Sequence, residues 1–408
     1  MKKLNIILAN APINNGNRGC VALSITSIYI LDDILKKHNI DYQLYLCDSG
    51  FPANQKHSYK IFEKEIDYIT CSYPIDRILK ENLKSLLKGD LKKNMQIFKT
   101  ADYILDIGQG DSFADIYGNK RFNLIDRIHK VAQLYNKPYC LLPQTIGPFK
   151  NNKIKKIANQ SIRKGALIMT RDKQSLNYVL ENVPLQKQVD EYIDIAFFMP
   201  FQKKQFDSQF IHVGVNISSL LWNGGYTQNN QFGLTVDYQE LIHEIIKYFL
   251  SLQNVKLHLI PHVVIGERNI ENDYEVSFEI YEKYNHPNLI LSEFFLGPIE
   301  AKNYIAGMDF FMGARMHSTI AAFSAGVPVV PMAYSRKFNG LFADTLSYSH
   351  LADMKKDNNS AILQLIQESF SNRETLKTEI EHQQRTTIQE NKKKIQKALS
   401  NFLNLESK

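Results

Sequence analysis

Residues 310–337 read FFMGARMHSTIAAFSAGVPVVPMAYSRK. An apolar run, Phe310–Met312, leads through a glycine-containing turn into His317–Ala325, a stretch rich in small residues. A second apolar run, Val327–Pro331, follows. Strand, turn, helix and strand in that order make one βαβ unit, and such a unit requires a parallel sheet. Neither run alternates strictly between polar and apolar residues, as befits strands buried on both faces.

The same scheme extends outward from this segment. Upstream in the second half, strands are expected at Val213–Ile217, Lys256–Ile260 and Leu289–Leu291, with helices at Tyr238–Leu252, Asp273–Tyr284 and Ile299–Ala306. In the first half, strands are expected at Leu4–Ala9, Tyr42–Cys47, Tyr103–Ile107, Tyr139–Leu142 and Leu167–Thr170. The helices between them cover Val21–Lys37, Asn123–Tyr135, Asn152–Lys164 and Ser175–Glu181. A chain of 408 residues, 44% of them hydrophobic, is too long for one ordinary core. It fits two domains of roughly 150–200 residues each. The expectation is therefore an α/β protein with two Rossmann-like doubly wound domains facing a cleft. The expected spans are 1–200, 201–355 and a charged helical tail, 356–408, packing back on the body. The stretch PFQKKQFDSQ, Pro200–Gln209, is the expected linker.

Composition narrows the class. The apolar run Leu4–Leu8 is too short for a secretory core, which needs about 7–15 apolar residues. No window approaches the ~20 apolar residues of a spanning helix. Cys20, Cys47, Cys71 and Cys140 have no paired spacing, which argues against zinc or a disulfide framework and for a reducing, cytoplasmic setting. The net charge of +7 favours anionic partners without selecting nucleic acid.

The remaining motifs fall after strands, where ligands of such folds bind. Asn14–Cys20, NNGNRGC, follows the first strand and opens the first helix. Its glycines allow backbone N–H groups near an anion, with Asn17 a contact, and an Asn-capped turn is the alternative. Gly108–Phe113, GQGDSF, offers close approach at Gly110 and a carboxylate at Asp111 for sugar hydroxyls, or simple capping. Pro143–Phe149, PQTIGPF, is a rigid segment that exposes the amide of Gln144 and the hydroxyl of Thr145. Arg171 ends a strand, placed for bidentate contact with carboxylate or phosphate; a surface Arg171–Asp172 pair is the alternative. In GARMHST, Arg315 points into the cleft beside a helix start that carries His317 and Ser318. His317 can exchange a proton near neutral pH. Tyr334, Arg336 and Lys337 follow the next strand. His212, His258 and His262 lack metal-ligand spacing and are read as structural, with His262 at a strand end. Between Ile75 and Lys99, Ile75, Leu79, Leu83 and Leu86 recur at helical spacing, and Lys80, Lys84 and Lys88 line another face. That is either a helix lying on an anionic membrane or a surface helix packed on the core.

Taken in order over about 330 residues, NNGNRG, GQGDSF, QTIGPF, RDKQS, DIAF at Asp194–Phe197, GVNIS at Gly214–Ser218 and the block from Gly313 to Lys337 resemble the polysaccharide pyruvyltransferase family. The resemblance implies a two-domain fold similar to the B-type glycosyltransferases, with an acceptor side in the first domain and a donor side in the second. It implies transfer of pyruvate from phosphoenolpyruvate to a sugar of a cell-surface polysaccharide or its lipid-linked precursor, forming a ketal. Donor contacts at Arg171, Arg315, His317 and Lys337 follow from it, with no metal and no further cofactor. Cys20 stands where members often carry an acidic residue. On this reading His317 and Arg315 act catalytically. Arg171, Lys337, Tyr334, Asn17, Gly110, Asp111, Gln144 and Ser318 bind substrate, with peripheral contact at the inner membrane surface. A nucleotide-sugar glycosyltransferase of the same fold is the rival.

Overall fold

A computed structural model describes residues 3–74, 89–184, 189–266 and 268–405. The chain divides into two units. The first comprises Met1–Ile13, Leu23–Ile195 and Asn391–Lys408; the second comprises Asn14–Ala22 and Ala196–Glu390.

In unit 1 the elements run β1 (Leu4–Ala9), α1 (Arg18–Lys37), β2 (Tyr42–Cys47), β3 (Gln55–Ile61), β4 (Lys64–Cys71), α2 (Asp90–Thr100), β5 (Tyr103–Asp106), α3 (Gly118–Leu134), β6 (Tyr139–Gln144), α4 (Asn152–Lys164), β7 (Leu167–Thr170), α5 (Lys173–Asn182) and β8 (Asp190–Glu191). The sheet order is β3-β4-β2-β1-β5-β6-β7-β8. Every pairing is parallel except the antiparallel β3–β4 hairpin. The chain builds to one side of β1 and then to the other, so strand order reverses between β1 and β5. Leu8 pairs with Leu46 on one side and Leu105 on the other. Ile6, Ile7, Leu8 and Ala9 are all fully buried, as a central strand covered on both faces demands. Helix starts are specified locally: the Asn151 side chain accepts from the amides of Lys153 and Ile154, and that of Asp172 accepts from Ser175.

Sequence reading did not identify β3 and β4. In β3, Lys56, Ser58 and Lys60 sit among otherwise exposed residues, so the strand has no apolar period to betray it. The reading that assigned helical spacing from Ile75 to Lys99 falls largely on residues 75–88, outside the described residues. Its described end is α2.

In unit 2 the elements are β9 (Ile211–Asn216), α6 (Ser219–Trp222), α7 (Tyr238–Leu250), β10 (Val255–Leu259), α8 (Asp273–Tyr284), β11 (Leu289–Leu291), α9 (Pro298–Ile305), β12 (Phe310–Gly313), α10 (Met316–Ser324), β13 (Val329–Ala333), α11 (Arg336–Phe338) and β14 (Ala352–Asp353). Helices at Asn359–Ser371 and Arg373–Gln383 follow. The sheet is wholly parallel, in the order β11-β10-β9-β12-β13-β14. Its order reverses between β9 and β12. Phe249 of α7 packs on Phe370 at 5.1 Å, and Phe370 packs on Phe310 of β12 at 5.6 Å. Each buried phenylalanine contributes about 1.5–3 kcal/mol. Residues 201–209, expected as linker, carry no regular structure and lie within unit 2. Asn303 of α9 holds them through the amides of Gln202 and Lys204.

Both units are thus doubly wound α/β sheets. Each has a reversal of strand order whose carboxyl ends can hold a ligand.

Candidate functional site

In unit 1 the reversal point is marked by Asn10, just past β1, and Asp106, the last residue of β5. Asn10 Nδ2 donates to Asp106 Oδ1 at 2.6 Å, and Asn10 Oδ1 accepts from the Tyr73 hydroxyl at 2.6 Å. The other Asp106 oxygen meets His129 Nε2 at 3.0 Å, and His129 Nδ1 meets Asp126 at 3.1 Å. Burial alone would lower the His129 pKa. The two flanking carboxylates outweigh it and raise the pKa to about 9, so the ring is an imidazolium at neutral pH.

This network fixes the next loop. Asp106 Oδ1 accepts from the Gly108 amide at 2.9 Å. Gly108 has φ +54, and a Cβ there would run into Gln144 Oε1, so only glycine fits. Thr145 N donates to the Gly110 carbonyl at 2.8 Å. Gly110, at φ +87, leaves space that the Arg171 guanidinium occupies, 3.1 Å from the position of an added Cβ. Arg171 itself is buried. Its Nε donates to Thr145 Oγ1 at 2.8 Å and its Nη1 to Asp194 at 2.7 Å.

Three expectations are corrected in unit 1. Gln144 and Thr145 are buried rather than exposed. Gln144 Nε2 bonds the Asp106 carbonyl, while its Oε1 has no hydrogen-bond partner among the described residues. Arg171 pairs with Asp194 and not with a surface Asp172, so its charge is already compensated. Asp111, half-buried, accepts from the Tyr117 hydroxyl at 2.9 Å.

In unit 2 the reversal lies between Asn216, ending β9, and Arg315, which precedes α10. Asn216 Oδ1 accepts from the Arg315 amide at 2.9 Å and its Nδ2 donates to the Ile260 carbonyl at 3.0 Å. The Arg315 guanidinium, expected to point into the cleft, instead lies buried against Asp273. Its Nη2 and Nε reach that carboxylate at 2.8 and 3.2 Å, and Glu271 stands 3.6 Å from Nη1. Burial opposes the charge, but Asp273, with Glu271 behind it, holds it protonated. Asp273 also accepts from the amides of Ser219 and Val263, both at 3.0 Å. Arg315 and Asp273 therefore tie three strand-end loops together, beside three polar neighbours.

Those neighbours are His317, Tyr334 and Lys337. His317 sits half-buried in the first turn of α10, where partial positive charge from free amides collects. Ser318 is buried and its hydroxyl donates to the Arg315 carbonyl at 2.7 Å. The Lys337 ammonium stands 5.7 Å from the centre of the Tyr334 ring, just beyond β13. The segment Asn14–Cys20 packs on the same strand ends. Arg18 N donates to the His262 carbonyl at 3.3 Å, Val264 N to the Gly16 carbonyl at 2.9 Å, and Arg18 Nη2 to the Phe295 carbonyl at 2.7 Å. Its glycines pack tightly against their neighbours. A Cβ on Gly16 would overlap the Val264 carbonyl, and one on Gly19 would overlap the His317 ring. Asn17 caps, accepting from the Gly19 amide at 3.0 Å. His262 is buried, and burial keeps its pKa well below the usual value, with the charges of His317, Arg315 and Arg18 adding to the effect.

The structure thus gathers Asn17, Arg315, His317, Ser318, Tyr334 and Lys337 in unit 2, and Gly110, Asp111, Gln144 and Arg171 in unit 1. Sequence reasoning did not single out Asn10, Asp106 and His129 in one, or Glu271 and Asp273 in the other; Asp194 and Asn216 entered only within DIAF and GVNIS, and His262 only as a structural residue at a strand end. Asp106 and Asn216 end strands at the two reversal points, a position that could have flagged them. Among the described residues no group of three or more His, Cys, Asp or Glu is arranged to hold a metal ion, and no helix is long and apolar enough to cross a membrane.

A model of the family described as polysaccharide pyruvyl transferase matches residues 17–336. The amylovoran biosynthesis protein AmsJ of Erwinia amylovora is 21% identical over 261 residues. The match covers 60% of this chain and 59% of the length of that relative. The chain is similar in fold to UDP-GlcNAc 2-epimerase from Neisseria meningitidis bound to UDP-GlcNAc. The TM-score is 0.57 at 12% identity, covering 98% of this chain and all 100% of that one. It is also similar to an α,α-trehalose-phosphate synthase from Burkholderia vietnamiensis, with a TM-score of 0.53 at 9% identity over 100% of both chains. At these identities the likeness carries the fold alone, which is glycosyltransferase-B-like, with two Rossmann-like units as the sequence led one to expect.

Proposed function

The chain belongs to the polysaccharide pyruvyl transferase family, and on that premise we propose that it moves pyruvate from phosphoenolpyruvate onto a sugar of a cell-surface polysaccharide or its lipid-linked precursor. The product is a pyruvyl ketal. A sugar hydroxyl adds to C2 of the enol ester while C3 gains a proton. Phosphate then leaves C2, and a second hydroxyl of the same sugar closes the ring and loses its proton. The sequence needs a proton donor, a cationic seat for the departing phosphate, and fixed hydroxyls.

The observation that carries this reading is the position of His317. It stands in the first turn of α10 beside Arg315, whose charge Asp273 compensates. In our reading His317 supplies the proton to C3, and Lys337 with the α10 amides receives the phosphate. Arg315 acts as a positioning residue that holds the turn. In unit 1, the half-buried carboxylate of Asp111 is suited to sugar hydroxyls, and Arg171 braces the loops of Gly110 and Gln144. None of the four cysteines forms a disulfide, which fits a reducing, cytoplasmic setting.

His317→Ala should lower the turnover number for acceptor-dependent phosphate release from phosphoenolpyruvate by about 10²-fold or more, with little change in donor KM. Undiminished turnover removes the catalytic assignment. Calorimetry with phosphoenolpyruvate against UDP then separates this reading from a nucleotide-sugar transferase.

A further inference from the structure

An open pocket of about 1010 Å³ lies within unit 2, lined by the end of α6, by α7 and by the end of α8, and the reaction scheme above makes no use of it. Trp222, Asn230, Tyr238, Gln239, Glu244 and Tyr284 are among its walls. Trp222, half-buried at the end of α6, is held edge-on to His243 at 5.6 Å. His243 Nδ1 meets the Tyr284 hydroxyl at 3.0 Å, and that hydroxyl donates to the His243 carbonyl at 3.4 Å. Burial, with Lys283 and Lys247 beside it, lowers the pKa of the ring, which favours its neutral form. Glu244 Oε2 is buried and has no hydrogen-bond partner among the described residues. A buried acceptor of this kind costs stability unless something fills it.

The chemistry selects the ligand. A carboxylate accepts two hydroxyl donors. Of the amides in the wall, Asn230 is tied to the Leu234 backbone at 2.9 and 2.8 Å, and Gln239 Nε2 donates to the Trp222 carbonyl at 2.8 Å, which leaves the Gln239 carbonyl oxygen as a further acceptor. An indole presents a broad apolar surface for the C–H face of a sugar ring. The charged walls are Asp237, Glu240 and Glu244 against Lys247 and Lys283. With His243 neutral, acids outnumber bases, which disfavours a phosphate-bearing ligand. The volume exceeds the need of one monosaccharide and sits at the upper end of ordinary ligand pockets, about 300–1,000 Å³.

The cavity also borders the candidate site. Tyr238 lines it, and the Tyr238 hydroxyl accepts from Ser218 N at 3.0 Å. The same tyrosine lies within electrostatic reach of Asp273, Arg315 and Tyr334. We propose that this cavity binds an uncharged oligosaccharide segment, two or more sugars removed from the one that receives the pyruvyl group. The binding claim stands on the cavity alone; its description as a distal acceptor subsite rests on the function proposed above.

Trp222 is the only tryptophan in the chain, so intrinsic indole fluorescence reports this cavity alone. Titrating the full-length protein with cellotetraose, maltotetraose and a β-galactotetraose should give a saturable emission change with at least one of them, and none with UDP. Glu244→Ala should raise the half-saturation concentration about tenfold or more, the loss expected for a hydrogen bond to a charged group. Glu244→Gln, which keeps the shape and one acceptor, should fall between. No response to any tetrasaccharide, a response to UDP alone, or an unshifted Glu244→Ala curve alongside a folded circular-dichroism spectrum each overturns the proposal. Phosphate release with a monosaccharide glycoside acceptor is measured beside it and should be equal in Glu244→Ala and the wild type. A fluorescence response without any phosphate release defeats the proposed function and leaves the saccharide site standing; the converse defeats only the site.

Discussion

His129 keeps a proton between Asp106 and Asp126 in an environment sealed from water, and that proton has a thermodynamic signature. The folded state holds it up to about pH 9, whereas an ordinary histidine releases it near 6.5. Between those values the folded protein binds more protons than the unfolded chain, so stability falls as pH rises. The contribution is complete below 6.5 and is lost as pH rises through 9. For a shift of this size it is on the order of 3 kcal/mol. Urea midpoints at about pH 6 and about pH 9.5 should differ in this direction for the wild type, and the difference should shrink in His129→Gln. Parallel pH dependences in the two proteins would count against a buried imidazolium. At this scale much of the candidate site could be read from sequence. Arg171, Arg315, His317 and Lys337 were singled out because they follow apolar runs. Their counter-charges could not be found so: Asp194 lies 23 residues from Arg171, and Asp273 lies 42 from Arg315. No local pattern records a pairing over that distance, and without it both arginines look unpaired although each has a buried carboxylate partner.

One helix start and one loop meet at Gly19, where the absent side chain leaves room for the His317 imidazole. Gly19→Ala should push that ring off its seat at the head of α10. Phosphate release should fall at least tenfold, at a stability cost of about 1–3 kcal/mol from overpacking, while far-ultraviolet dichroism stays native. Full activity in a well-folded variant would separate the histidine's placement from catalysis. The elements themselves were legible wherever strands are buried on both faces. The short apolar stretches within β1, β5 and β12, bounded by turn residues, made these strands readable. The edge hairpin β3–β4 escaped because its exposed residues are polar and charged, which is how edge strands avoid pairing with other chains. The glycines of NNGNRGC were legible as a conformational requirement, but the neighbours that impose it, Val264 and Ile265 at Gly16 and His317 at Gly19, lie far along the chain.

At the level of the whole molecule, unit 1 is closed by a segment from the far end of the sequence. Ile395, Leu399 and Leu403 are buried, Asn391 accepts from the Ile193 amide at 3.1 Å, and Phe402 packs edge-on to Tyr103 at 5.2 Å. Deleting residues 391–408 should therefore lower hydrogen-exchange protection in β5 and β8 by several orders of magnitude while β12 and β13 keep theirs. Equal losses in both sheets would contradict the division into two units. The periodicity of a tail shows that it is helical and amphipathic, but not which core its apolar stripe covers. That division also sets an order of events at the ribosome. Although unit 1 begins the chain, its last piece is translated only after every residue of unit 2. A nascent chain can therefore complete unit 2 before unit 1, and a chain cut ahead of Asn391 carries its defect in the unit that holds Leu4–Ala9.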